Sequence, residues 1–267
     1  MPGQNAGQII KGTPVMRSNW HPERIPGLKC WLRCDASSVF LDEDLTTLCE
    51  NNDLVRIWAD QTSNKANFRQ NTTSFRPIFR EDGGDGFPAI LFRPAGFVGG
   101  QFFRSVSGFV NGWTAASIYT VSKVARDPPA SNTKSGYFSF GTSNRATTHP
   151  DRTGRITECF SSSTSYAVGN PTINLTNWHL YSVSHRSQYI VKINGISQLS
   201  VSATGSMAFP FLGITSLGES KTNAGSFPSL ASYLDGLFAE VLIFNEELSP
   251  DDEQLLEDYL MDKYGIT

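Results

Sequence analysis

The stretch from residue 233 to residue 266 constrains this chain more than any other. Leu237, Ala239, Val241 and Ile243 alternate with Phe238, Glu240, Leu242 and Phe244. Both alternating sets are apolar apart from Glu240, so the segment reads as a strand covered on both faces. A helix follows with every end signal in place. Ser249 is a good N-cap, Pro250 suits the first helical position, and Asp252 stands where a capping box wants an acid. Asp251, Asp252 and Glu253 crowd the positive end of the helix dipole, and Lys263 sits in the last turn. Leu255, Leu256, Tyr259 and Leu260 form an apolar stripe, and Gly265 is the stop. Such a helix is expected to lie against the body of a β-sandwich.

The chain has 267 residues, enough for one large sandwich or two small domains. Hydrophobic residues make up 39%, which suffices for a packed core, while charged residues reach only 18%, as in loop-rich all-β proteins. A net charge of −3 gives no electrostatic case for nucleic acid or an anionic membrane, and no apolar run is long enough for membrane insertion. The N-terminus has no apolar core of the secretory kind, which points to synthesis in the cytoplasm without a signal peptide. Cys30, Cys34, Cys49 and Cys159 do not form a disulfide pattern: on a strand, Cys30 and Cys34 would stand about 13 Å apart. Free buried thiols are expected.

Residues 1–26 are rich in Gly, Gln and Pro and show no strand alternation, so they read as an extended N-terminal arm. Ile9, Ile10, Val15, Met16 and Trp20 are its apolar anchors, enough to seat an extended peptide in a partner's groove. From residue 27 to residue 267, short strands alternate with turn clusters. Strands are predicted over 28–34, 55–58, 76–79, 88–93, 115–124, 137–140, 155–160, 166–168, 178–184, 189–193, 196–201 and 211–217. Asn194-Gly195 signals a type I′ hairpin turn. With one terminal helix and no linker, this pattern gives a single all-β sandwich.

Several segments, in order, resemble the concanavalin A-like (LamG-like) jelly-roll family. They are Ile25-Pro-Gly-Leu-Lys-Cys-Trp-Leu-Arg-Cys-Asp-Ala-Ser-Ser38, Val55-Arg-Ile-Trp-Ala-Asp-Gln-Thr-Ser-Asn64, Arg76-Pro-Ile-Phe79 with Phe87-Pro-Ala-Ile-Leu-Phe-Arg93, and Trp178-His-Leu-Tyr-Ser-Val183 with Val191-Lys-Ile-Asn-Gly195. Asn64 replaces the glycine of the family's second segment. The resemblance implies a jelly-roll sandwich. It does not imply one function, because the family includes sugar binders, calcium-dependent adhesion modules, glycanases and parts of viral assemblies.

The residues give little to catalysis. The Glu-x-Asp-x-x-Glu strand of jelly-roll glucanases is absent, as are the Gln-Ile-His strand of the lyases and sialidase-type repeats. Glu240 reads as structural, with Arg33 or His179 as its expected donor. Calcium is the one cofactor to weigh, with Asp60, Asp82 and Asp85 in polar turns, although Asp60 also fits an Asx turn. Phe97, Trp113, Tyr137 and Tyr166 lie near loops as candidate sugar-stacking platforms, whereas Trp58 and Trp178 read as core.

The sequence therefore points first to a non-catalytic structural or attachment component of a larger assembly. A virion (phage) decoration, fibre or tail protein at a particle surface is expected, docked through its arm and forming a homo-oligomer. The alternative is a lectin-like module that binds carbohydrate, including cell-surface glycans. A glycan-cleaving enzyme comes third.

Overall fold

The computed structural model describes residues 20–93, 100–105, 109–110, 112–125, 136–139, 147–148, 156–158, 166–169, 171–186, 188–202, 216–217 and 233–267. Strands β1 to β6 are Leu28–Arg33, Val39–Phe40, Ile57–Trp58, Phe68–Arg69, Ile78–Arg80 and Ala89–Phe92. Strands β7 to β12 are Phe103–Ser105, Ala116–Val124, Gly136–Ser139, Thr147–Thr148, Ile156–Glu158 and Tyr166–Gly169. Strands β13 to β17 are His179–His185, Gln188–Ile193, Ile196–Ser202, Ser216–Leu217 and Gly236–Phe244, and helix α1 is Pro250–Lys263. The strands form two antiparallel sheets in a jelly-roll sandwich. One has eight strands in the order β15-β14-β13-β8-β17-β6-β5, with β1 also on β17. The other has nine, in the order β12-β11-β10-β9-β16-β7-β4-β3-β2.

The predicted closing strand is the centre of the eight-stranded sheet. One edge of β17 pairs with β8 from Gly236 to Phe244. Its other edge is shared: β6 takes Gly236 to Phe238, and β1 takes Glu240 to Phe244. The two faces of this sheet bury two separate clusters. Facing the nine-stranded sheet are Cys30, Leu32, Ile118, Tyr181, Val191, Phe238, Val241 and Ile243, packed with Trp58, Phe68 and Phe103 from across the sandwich. Facing outward are Trp31, Tyr119, Val121, Leu180, Leu242 and Phe244, covered by Leu256, Leu260 and Tyr264 of the helix region.

The helix caps form as the sequence dictates. The Asp252 backbone N–H donates to Ser249 Oγ at 3.2 Å, and that hydroxyl donates to the Asp252 carboxylate at 2.7 Å. Gly265 takes the left-handed conformation that ends the helix, φ 61°. Leu255 departs from the predicted stripe: it is exposed, and Leu256, Leu260 and Tyr264 face the sheet instead. The Asn194-Gly195 turn has φ of 49° and 72°, as a type I′ hairpin requires.

Two bulges break the expected alternation. Ala239 is the extra residue on β17, because Phe238 lies opposite Ser122 while Glu240 lies opposite Val121. The bulge resets the parity, so Glu240 faces the helix with Leu242 and Phe244 rather than the interior with Phe238. A second bulge at Lys29 turns Leu28 to the helix side, away from Cys30 and Leu32.

Glu240 is fully buried, and its donors are not the expected Arg33 or His179. Trp31 Nε1 donates to one carboxylate oxygen at 2.6 Å. Lys263 Nζ and the Tyr264 hydroxyl donate to the other at 2.6 and 2.8 Å. The acid thus ties the central strand to β1 and to the end of the helix.

The domain also begins earlier than residue 27. Pro22 and Ile25 are buried, Trp20 lies 5.0 Å from the Tyr259 ring, and His21 meets Trp31 edge-on at 4.5 Å. Trp20 is thereby a contact of the domain's own helix rather than a free anchor. The arm residues Ile9, Ile10, Val15 and Met16 lie outside the described residues, as do Cys159 and Phe97.

Trp58 is completely buried, and Trp178 is 7% exposed with its Nε1 donating to the Gly84 carbonyl at 3.0 Å. Replacing either by Ala is expected to cost roughly 3–5 kcal/mol in chemical denaturation. Lys263→Met, which strips a charged donor from Glu240, is expected to cost about 1–3 kcal/mol in the same assay.

Candidate functional site

The structure scatters the residues chosen from sequence. Tyr137 is an interior residue with no exposed surface, because its strand turns it into the sandwich. Its hydroxyl lies 2.7 Å from Thr120 Oγ1 and also bonds Ser122, whose Oγ is 3.2 Å from His179 Nε2. Tyr166 is half-buried, its ring 4.7 Å from Tyr189. Trp113 is half-buried 5.6 Å from Phe109 at the edge of the inner core. None of the three shares a surface with another as a stacking platform.

The three aspartates are engaged separately rather than gathered into one cluster. Asp60 is 2% exposed, and its carboxylate accepts from the backbone of Trp31, Thr62 and Ala66 and from the Thr62 hydroxyl, all at 2.8–2.9 Å. Its lone pairs are spent holding the turn, as the Asx-turn reading anticipates. Asp82 accepts from the Gly84 and Gly86 backbone, and Asp85 lies 3.3 Å from Lys123 Nζ. Among the described residues, no group of three His, Cys, Asp or Glu side chains is placed to hold a metal ion.

Among the described residues, Glu240 and Glu158 are acids with no exposed surface, and both serve the architecture. Glu240 is described above. Glu158, on β11, accepts from Thr147 at 2.6 Å, from Tyr189 at 3.0 Å and from the Tyr181 hydroxyl. It links the nine-stranded sheet to β13 and β14 across the sandwich. Burial, and then the Glu158 charge, push the Tyr181 hydroxyl well above its usual range, which keeps it a donor.

Among the described residues, a cleft and a ring cluster stand out. One is a cleft of about 490 Å³ between the segment around Ile25, the β13–β14 turn at Arg186 and the β17–α1 connection, lined by Glu246, Glu247, Leu248 and Asp252. It is polar and carries no aromatic wall. The other lies at the outer face of the nine-stranded sheet. Phe103 points inward on β7, 5.9 Å from Phe92, so alternation turns Arg104 outward, while Phe102 just before the strand is buried under its neighbours. Phe102 stacks on Tyr233 at 6.0 Å and 26°, and Phe75 lies 5.8 Å from it on the other side. The Arg104 guanidinium sits 4.7 Å over the Phe102 ring.

Local sequence holds this file of rings. Phe75 ends a 3₁₀ turn, Thr73–Phe75, whose carbonyl accepts from the Phe102 backbone N–H at 3.2 Å. Gln70 Nε2 donates to the Phe102 carbonyl at 3.3 Å. Gly100 makes room for Tyr233: a Cβ there would stand 2.2 Å from the tyrosine ring. Half-exposed Phe75 gives a flat apolar surface, the chemistry that sugar rings meet in their sites. The sequence signal was an inward phenylalanine followed by an outward arginine, Phe68-Arg69 and Phe103-Arg104, repeated on paired strands.

No family model and no curated protein sequence matches the chain. Solved structures do match in fold. Domain 4 of AbnA, a GH43 extracellular arabinanase from Geobacillus stearothermophilus, in complex with arabinotriose, aligns with a TM-score of 0.52 at 17% identity, over 77% of this chain and 99% of that one. The binding domain of botulinum neurotoxin DC in complex with SialylT gives a TM-score of 0.56 at 11% identity, over 88% of this chain. The same toxin domain with rat synaptotagmin II gives 0.51 at 10% identity over 89%. This chain spans about half of the toxin binding domain, 52% in both cases. The likeness shows a β-sandwich fold of the jelly-roll kind.

Burial lowers the His179 imidazole to about 4, against backbone hydrogen bonds at Asn177 and Leu175 that raise it. The fold therefore prefers the neutral ring. Its contribution is complete above the unfolded value near 6.5 and is lost as pH falls towards 4, because the unfolded chain takes up the proton first. Urea unfolding at a series of pH values is expected to show a loss of roughly 3 kcal/mol across this window. His179→Gln is expected to flatten it.

Proposed function

We propose that this chain is a non-catalytic carbohydrate-binding module that holds its ligand on the outer face of the nine-stranded sheet. The observation that carries this reading is the half-exposed Phe75 ring, held in place by the buried Phe102 and Tyr233 rings behind it. Phe75, half-exposed and seated on buried rings, offers apolar area to the C–H face of a sugar. The fold supports it: this chain matches almost the whole length of an arabinanase domain in complex with arabinotriose, and about half of a toxin binding domain in complex with SialylT. The acids support the non-catalytic part. Glu240 and Glu158 are each wrapped by three donors that anchor neighbouring strands, a poor arrangement for an acid that must exchange protons with substrate. The assembly role expected from the arm gains nothing from the described residues.

The test is a glycan panel read by isothermal titration calorimetry and by release of reducing ends. Binding without turnover is expected. Phe75→Ala, at a half-exposed turn residue, is expected to weaken binding by about tenfold or more with the melting temperature within a few degrees of the parent. Sugar release by the parent protein, or unchanged binding in the variant, would overturn the proposal.

A further inference from the structure

We propose that residues 9–19 dock on the solvent-facing side of helix α1 of the same chain. Leu255 is 48% exposed in the middle of that helix, while Leu256, Leu260 and Tyr264 are buried against the sheet on the opposite side. Asp251, Asp258, Tyr259 and Asp262 stand at i−4, i+3, i+4 and i+7 from Leu255, the spacings that share one helix face. The outer face of α1 is thus an exposed leucine and a half-buried tyrosine set among carboxylates. Among the described residues, none of these aspartates meets a Lys or Arg side chain, and Asp258 accepts only from Gln254 Nε2, at 2.8 Å. The cations nearest the helix are engaged elsewhere. Lys263 is held by Glu240 at 2.6 Å, Arg33 by Asp35 at 2.6 Å, and Lys192 by Glu253 and Glu257.

The chain itself carries the matching chemistry to this face. Trp20 rests on Tyr259 with the ring centroids 5.0 Å apart, so the segment before it is tethered at the proposed site. Residues 1–19 hold Lys11 and Arg17 and no acid. An apolar pair precedes each cation, in Ile9-Ile10-Lys11 and again in Val15-Met16-Arg17. Extended chain covers about 3.3 Å per residue, so Arg17 lies within about 10 Å of Trp20. The helix rises about 1.5 Å per residue, which puts each of the aspartates within about 12 Å of Tyr259 along the axis. Arg17 and Lys11 therefore reach the carboxylates, and Val15 and Met16 cover Leu255. The tether holds the segment at an effective concentration on the order of millimolar, which favours the chain's own arm over that of a second copy. Ordering costs about 1 kcal/mol per residue, so docking is confined to the stretch that brings apolar and charged contacts and leaves out the Gly- and Gln-rich residues before Ile9.

The experiment is hydrogen–deuterium exchange of the full chain, read by mass spectrometry over residues 9–19. Exchange about tenfold or more slower than in a free peptide of the same sequence is expected, independent of protein concentration and faster in high salt. Leu255→Gln, at an exposed helix position, and Arg17→Glu are each expected to remove most of that protection, with the melting temperature within a few degrees of the parent. Adding Asp258→Lys and Asp262→Lys to Arg17→Glu is expected to restore it, since the charges are then exchanged between the two partners. Exchange at the free-peptide rate in the parent protein would overturn the proposal. Protection that disappears on dilution would overturn it in favour of docking on a second copy. Protection untouched by Leu255→Gln and by Arg17→Glu would put the arm elsewhere on the domain and overturn it equally.

Discussion

The buried carboxylate of Glu240 joins three parts of the chain that are far apart in sequence. It accepts from Trp31 on β1 and from Lys263 and Tyr264 at the end of the helix, while its own strand is the centre of the larger sheet. A buried acid left without donors would cost several kcal/mol, so none of the three can leave alone. The outer face of that sheet is apolar, with Trp31, Tyr119, Leu242 and Phe244 needing cover. The helix supplies the cover, and Glu240 fixes its end in place. A second tie works at the other edge, where Lys192 on β14 meets Glu253 at 2.6 Å and Glu257 at 3.4 Å.

This division of labour frees the other sheet. One face of the eight-stranded sheet is closed by the helix, and the other by the inner core. The nine-stranded sheet contributes Trp58, Phe68 and Phe103 to that core and turns Arg69 and Arg104 the other way. The alternation of a strand makes both roles available from adjacent residues. Phe68 anchors while Arg69 is presented, and Phe103 anchors while Arg104 is presented.

How much of this was legible in the sequence depended on distance along the chain. The helix from Pro250, its Ser249 cap and the Asn194-Gly195 turn are local, and their signals lie within a few residues of each other. The bulge at Ala239 was not legible, since period-two counting carries straight through it and groups Glu240 with Phe238 as well as with Leu242 and Phe244. Arg33, although opposite Glu240 on β1, pairs with Asp35 instead. Loop aromatics were chosen for the site on proximity to turns, yet Tyr137 is interior because its strand register aims it inward. Phe75, Arg69 and Arg104 meet only through the pairing of β4 with β7 and the stacking on Phe102, which no local pattern encodes.

The place of β17 in the sheet has a consequence for how the protein is made. It lies between β8 on one side and β6 and β1 on the other, yet it leaves the ribosome after all of them. Until it arrives, β8 has one unpaired edge rich in Ile118, Tyr119 and Val121, and Trp31 has no acid to bond. The two halves of the larger sheet must wait as separate pieces with bare hydrogen-bonding edges, the condition in which chains pair with the wrong neighbour. Closure is therefore a late event spanning more than two hundred residues of chain between Trp31 and Glu240. That makes folding slow and dependent on the completed segment, and the nascent protein is most exposed to aggregation just before its last strand is inserted.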